Sequence, residues 1–273
     1  MRKTISYQAS AISYSVYGTG TAVVLLHGFG EDGRIWDAQV SFLQQHCRLI
    51  VPDIPGSGNS ALLQVQDLSA AGQRSFVSID DYADVVYAIL EAEKIDHCLM
   101  LGHSMGGYIT LAFAEKYPER LTGFGLVHST AFADSEEKKQ MRAKAIETIG
   151  RYGAQPFLKN TIPNLFGRSF KEKHPERISQ LIDAAAGFTA EALQQYYQAM
   201  IHRPDRCQVL RSNRLPVLFV MGTEDVAAPM DDVLKQVSLP GISYIHVLPD
   251  CGHMGMWEAP DTLNQLLLAF IHP

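Results

Sequence analysis

Apolar residues along this chain fall into short unbroken runs, separated by longer segments in which they recur every three or four positions. The runs are AVVLLH (22–27), CRLIVPD (47–53), HCLMLGH (97–103), LTGFGLVH (121–128), LPVLFVMG (215–222) and ISYIHVLP (242–249). Runs of this length with few polar interruptions predict strands buried on both faces. Near the N-terminus, RKTISYQ and AISYSVYG read as two further strands, the second alternating polar and apolar. The clearest helix is SIDDYADVVYAILEAEK (78–94). Ser78 can cap it, Asp80 and Asp81 favour its positive end, and Tyr82, Val85, Val86, Ile89 and Leu90 share one face. A closing helix is expected from Pro260, a good first-turn residue, with Leu263, Leu266, Leu267 and Phe270 inward.

Strands alternating with helices imply a mostly parallel sheet covered on both faces, an α/β architecture. Ligands in such sheets bind at the carboxyl ends of the strands, so chemistry-bearing residues are expected just after each apolar run. One region breaks the alternation. Residues 131–206 hold no convincing strand but several helical stretches, SEEKKQMRAKAIETIG, ERISQLIDAAAGF and AEALQQYYQAMIH, broken by Pro156, Pro163 and Pro175. This region carries 12 Lys+Arg against 9 Asp+Glu in a chain whose net charge is −6. A helical insertion of different charge placed after a strand predicts a cap over the strand ends. The expected division is a core of 1–130 and 207–273 with a helical cap of 131–206.

At 273 residues and 47% hydrophobic, the chain can bury a large core. The negative net charge argues against nucleic acid as a partner. No apolar run approaches the roughly 18 residues of a membrane span, and MRKTISYQASAISYS lacks the apolar centre of a signal peptide. The expectation is a cytoplasmic protein with a small-molecule partner and no membrane contact. Oligomeric state is not legible. Cys47, Cys98, Cys207 and Cys251 form no C-x-x-C pair, so no metal is expected, and Cys47 and Cys98 read as buried apolar residues. Cys251 stands two residues from His253 but is read as structural.

The most informative motif is Gly102-His103-Ser104-Met105-Gly106. G-x-S-x-G between a strand and a helix is the context of a nucleophile elbow. The turn is tight, Gly102 and Gly106 avoid collisions across it, and Ser104 is held strained with its hydroxyl toward the cleft. A serine hydroxyl needs a base. Of ten histidines, His253 in LPDCGHMGMWEAP follows the last strand. His27 and His103 stand at strand ends, where they are expected to orient loops; His128 is a further competitor, His246 is mid-strand and His272 terminal. The base needs an acid behind it. FVMGTEDVAAP offers Glu224 and Asp225. Asp225 is preferred, since Glu224 would point to the other side of the turn and Asp250 is too close to His253 in sequence. The preceding strand end, VHSTAF, offers no acid before Asp134.

Gly28, Gly30 and Gly33 also spell G-x-G-x-x-G after a strand, with Asp53 20 residues beyond. On paper that is a dinucleotide fingerprint. Glu31 and Asp32, however, lie inside the loop and would repel a pyrophosphate. The loop is better read as supplying an oxyanion donor, the Phe29 N–H, with the Met105 N–H as the second. Asp53 then fixes the Gly-rich turn PDIPGSGNS, and no cofactor is expected.

HGFG, PDIPGSGNS, GHSMGG, GTED and GHMGMWEAP occur in this order over nearly the whole chain. With them the chain resembles the α/β-hydrolase superfamily. The resemblance implies an eight-stranded sheet with the second strand antiparallel and a helical cap after the sixth. It carries nucleophile, acid and base to Ser104, Asp225 and His253, and the oxyanion donors to Phe29 and Met105. Relatives with Asp at the elbow include dehalogenases and epoxide hydrolases, and Ser104 argues against both. The expectation is a carboxylesterase-like serine hydrolase. Lactonases, thioesterases, carbon–carbon bond hydrolases, hydroxynitrile lyases, cofactor-free haloperoxidase-like enzymes and slow-turnover ligand receptors stand as alternatives on the same residues.

Overall fold

The computed structural model describes residues 1–64 and 75–273. The strands are β1 (Arg2–Tyr7), β2 (Ser10–Tyr17), β3 (Ala22–Leu26), β4 (Arg48–Pro52), β5 (Cys98–His103), β6 (Leu121–Val127), β7 (Val217–Gly222) and β8 (Ser243–Leu248). Among the described residues they form one eight-stranded sheet in the order β1-β2-β4-β3-β5-β6-β7-β8. β2 runs antiparallel to both neighbours, and the pairs from β4/β3 to β7/β8 are parallel.

The unbroken apolar runs mark the middle of this sheet. β5 and β7 are buried at every position. β8 departs from the expectation. Among the described residues it is an edge strand, and Ile245 and Val247 on one of its faces stay 45% and 44% exposed.

The helices are α1 (Asp37–Leu43), α2 (Ile79–Glu93), α3 (Met105–Lys116), α4 (Glu136–Tyr152), α5 (Ala154–Thr161), α6 (Arg168–Lys173), α7 (Pro175–Ala184), α8 (Ala190–Ile201), α9 (Cys207–Ser212), α10 (Met230–Leu234), α11 (Gly255–Glu258) and α12 (Pro260–Ile271). α1 packs on α12, while α2 and α9 pack on α3. α2 starts with a full capping box: the Ser78 hydroxyl accepts from the Asp81 N–H at 3.3 Å, and the Asp81 carboxylate accepts from the Ser78 N–H at 2.7 Å. Its predicted inner face, Tyr82 to Leu90, is buried.

α4 to α8 lie between β6 and β7, where the sequence predicted helices. The two ends of this segment meet, with the Arg206 N–H donating to the Ala131 carbonyl at 2.8 Å. Buried Asp134 ties its first helix to its end, accepting from Arg142 Nε at 2.6 Å and lying 3.0 Å from Arg203 Nη1. Pro156 and Pro175 do not interrupt helices. They occupy the first turns of α5 and α7, where a backbone N–H has no helical partner to lose. No helix among the described residues is long and apolar enough to cross a membrane.

Candidate active site

β5 ends at His103 and α3 begins at Met105, which leaves one residue, Ser104, to turn the chain. Ser104 has φ 52° and ψ −115°, a left-handed conformation costly for a side chain with a Cβ. The surroundings impose it. Ser104 N–H donates to the Val127 carbonyl at 3.0 Å, and its own carbonyl accepts from the Ser129 hydroxyl at 2.7 Å. A Cβ on Gly102 would stand 2.2 Å from the Gly106 carbonyl oxygen, and one on Gly106 would stand 2.4 Å from the Leu26 carbonyl oxygen. The glycines expected at this turn are therefore required by contact. Met105, the first residue of α3, has a backbone N–H with no intrahelical partner.

The loop after β3 approaches the same point. His27 Nε2 accepts from the Ile54 N–H at 2.9 Å, so its Nδ1 carries the hydrogen and donates to the Gly28 carbonyl at 2.9 Å. Glu31 accepts from the Gly28 N–H at 2.7 Å and pairs with His103 Nδ1 at 2.9 Å. His103 Nε2 then reaches the His253 carbonyl at 2.9 Å. Burial alone would raise the Glu31 carboxyl, but the His103 charge and hydrogen bond and the Gly28 N–H outweigh it and hold it below its usual range. Burial alone would lower His103, and Glu31 outweighs that too. His27 and His103 thus orient loops, as expected, while the acid at Glu31 has a structural partner the sequence did not reveal. Asp53 accepts from the Gly33 N–H at 3.1 Å and the Asn59 N–H at 3.0 Å, tying two turns together rather than reaching a ligand.

β7 leads to Asp225 and β8 leads to His253. Asp225 Oδ1 accepts from the backbone N–H groups of Ala227 and Ala228 at 2.9 and 2.8 Å. His253 Nδ1 lies 3.0 and 2.9 Å from the two carboxylate oxygens. Glu224 turns away and accepts from the Arg168 N–H at 2.6 Å. His128, at the end of β6, brings Nδ1 within 3.0 Å of Asp225 Oδ2. Burial would raise the Asp225 carboxyl, but the charges and hydrogen bonds of His253 and His128 hold it far below the usual carboxylate range. An ionised carboxylate only accepts, so both Nδ1 atoms carry hydrogen. Burial lowers the His128 ring further than Asp225 raises it, and its Nε2 finds no hydrogen-bond partner among the described residues. The potential ligand atoms of His128, Asp225 and His253 lie within 4.8 Å of one another, a spacing that would also suit a metal ion. The two ring N–H groups already satisfy the carboxylate.

Two residues escaped the sequence reading. His128 stood only among the competing histidines, because its contact with Asp225 spans 97 positions. Glu258 lies in GHMGMWEAP, where the sequence alone assigns it no role. Its carboxylate accepts from the N–H groups of Gly252 and Met254, on either side of His253, and from Gly167 in the helical segment at 2.8 Å. An acid placed to cap a tight loop five residues past a histidine is the signal that could have found it. Cys251 is buried, and burial together with Glu258 and Asp225 pushes its thiol well up, which disfavours the thiolate.

Ser104 and His253 both line a cavity of about 550 Å³. The helical segment covers it with Lys138, Met141 and Arg142 of α4, Phe157 and Thr161 of α5, and Tyr197 of α8. Phe29 stacks on Tyr197 with ring centroids 4.2 Å apart, so the predicted oxyanion loop is also a seat for this segment.

A family described as alpha/beta hydrolase fold matches residues 21–260. A 2-hydroxy-6-oxo-6-phenylhexa-2,4-dienoate hydrolase of Comamonas testosteroni is 26% identical over 95% of this chain and 91% of its own. A 2-hydroxy-6-oxononadienedioate/2-hydroxy-6-oxononatrienedioate hydrolase of Burkholderia vietnamiensis is 28% identical over 95% and 90%. Among solved structures, a thermophilic esterase from Thermogutta terrifontis, bound to malate, superposes with a TM-score of 0.90 at 28% identity, covering 100% of both chains. An enol-lactonase from Burkholderia xenovorans gives 0.87 at 21% identity over 99% of this chain and 100% of its own, a likeness of fold.

Proposed function

Because this chain belongs to the α/β-hydrolase family, we propose that it is a serine hydrolase that cleaves a carboxylic ester, or a related acyl bond, of a small molecule. The observation that carries the reading is the convergence on one cavity of a strained serine at a strand–helix elbow and a histidine backed by a buried carboxylate. In this reading residues 131–206 act as a cap over a core of 1–130 and 207–273.

Ser104 Oγ attacks the substrate carbonyl while His253 Nε2 accepts its proton. Asp225 holds the His253 tautomer through Nδ1–H and stabilises the imidazolium that forms. The N–H groups of Phe29 and Met105 bind the oxyanion of the tetrahedral intermediate. His253 then protonates the leaving group, releasing the alcohol and leaving an acyl-Ser104 ester. Water enters, His253 takes its proton, and collapse of the second intermediate returns Ser104 and frees the acid. Every step uses side chains and backbone groups of this chain.

The test is turnover of p-nitrophenyl esters from acetyl to octanoyl by wild type and Ser104→Ala. Multiple turnovers that vanish in the variant are expected, with the chain-length profile set by the cavity. Turnover that persists in Ser104→Ala would sink the assignment. One turnover with product retained would support a ligand receptor instead.

A further inference from the structure

We infer that the cavity beside Ser104 takes a substrate bearing a carboxylate on an apolar body. This rests on the reading of that cavity as the substrate site and narrows the class of molecule it accepts. α4 turns Lys138, Met141, Arg142 and Ala145 toward the cavity, spaced three and four residues apart along one face, with Lys144 beside them.

Among the described residues the charges there do not cancel. Arg142 and Arg203 share the single carboxylate of Asp134, so that buried cluster keeps one positive charge. Lys138 Nζ donates to the Ala227 carbonyl at 2.9 Å, a neutral acceptor that uses one of its three donors. The acid lining the cavity, Glu31, is committed to His103 and the Gly28 N–H. A helix face bearing solvated cations would look different: the Arg142 side chain is only 15% exposed, with its guanidinium 5.3 Å from the Tyr197 ring centre. The rest of the wall is apolar, with Phe29, Phe157, Leu165 and Met200. Low-dielectric walls concentrate a fixed positive field, and the Arg142 guanidinium, whose Nε and Nη2 face Asp134, keeps Nη1 as a charged donor for a carboxylate oxygen.

The test compares ligands that differ in charge but hardly in shape. Calorimetry on the full chain measures 4-phenylbutyrate against 4-phenylbutyramide, and 5-phenylvalerate against 5-phenylvaleramide. At least one carboxylate is expected to bind about tenfold tighter than its amide, the scale of one charge-assisted hydrogen bond. That ratio is expected to fall toward one in Arg142→Gln and in Lys138→Met. Arg142→Gln leaves Asp134 paired with Arg203, so no buried charge is orphaned, and Lys138→Met provides a second variant outside that cluster. No carboxylate preference in either pair, including no measurable binding, would overturn the inference. So would a preference unchanged in both variants. Ester turnover lost in Ser104→Ala alongside equal binding of acid and amide would keep the hydrolase and discard the carboxylate. Carboxylate preference with an unreactive Ser104 would do the reverse.

Discussion

At the scale of single residues, the candidate site is organised by one carboxylate with four donors around it. Asp225 receives two backbone N–H groups and two imidazole N–H groups. Asp225→Asn replaces an acceptor oxygen with an amide and permits the wrong His253 tautomer, so kcat should fall by up to roughly 10⁴-fold. Glu224→Gln should cost far less, since Glu224 serves Arg168; steady-state kinetics of both variants decides between the acids. His128→Phe keeps the ring but removes one donor to an ionised acceptor. It should lower kcat by about tenfold, in line with the ~1.5–3 kcal/mol of such a bond. An unchanged kcat would make His128 packing alone. The positions of Ser104, Asp225 and His253 past the ends of β5, β7 and β8 were legible because each follows an apolar strand in a short motif. His128 was not, since nothing local to VHSTAF says that the next strand will bring an acid against it.

At the scale of elements, the sequence reading was strongest where burial is complete. Strands covered on both faces read as unbroken apolar runs, and β3 to β7 appear within two residues of their predicted limits. β8 read the same way yet is an edge, because a run of apolar residues does not say whether a further strand will pair with it. The capping box of α2 was half visible: Ser78 was expected, the reciprocal bond from the Ser78 N–H to the Asp81 carboxylate was not. Ser78→Ala should cost about 1 kcal/mol of stability, measured by denaturant unfolding. The loop carrying His253 depends on an element further on. Glu258→Gln puts an amide NH2 where backbone donors converge, leaving one buried N–H group unsatisfied at about 1–3 kcal/mol. Its melting temperature and kcat should fall together; a change in neither would show the loop holds without it.

At the scale of the whole molecule, the Glu31–His103 pair joins three separate stretches: the loop after β3, the end of β5 and the loop after β8. His103 is raised in the fold, so its stabilisation is full below its unfolded value of 6.5 and is lost as pH rises through the higher folded value. Glu31 is lowered, so its contribution is present above 4.5 and is lost as pH falls through the lower folded value. The pair therefore stabilises most between those two values. Melting temperature should decline as pH climbs past 6.5, and His103→Gln should flatten that decline; an identical slope in the variant would place the pH dependence elsewhere. The mostly parallel, doubly covered sheet and the helices after β6 were legible from periodicity. The strand order, with β4 outside β3, was not, since it is set by crossovers that leave no local mark.

The most direct measurement is intact-protein and peptide mass spectrometry after reaction with a fluorophosphonate. A single adduct is expected on the peptide containing Ser104, absent in Ser104→Ala and much slowed in His253→Ala. No adduct in the wild type, or one that persists at another residue when Ser104 is replaced, would contradict the claim that Ser104 is the nucleophile of this protein.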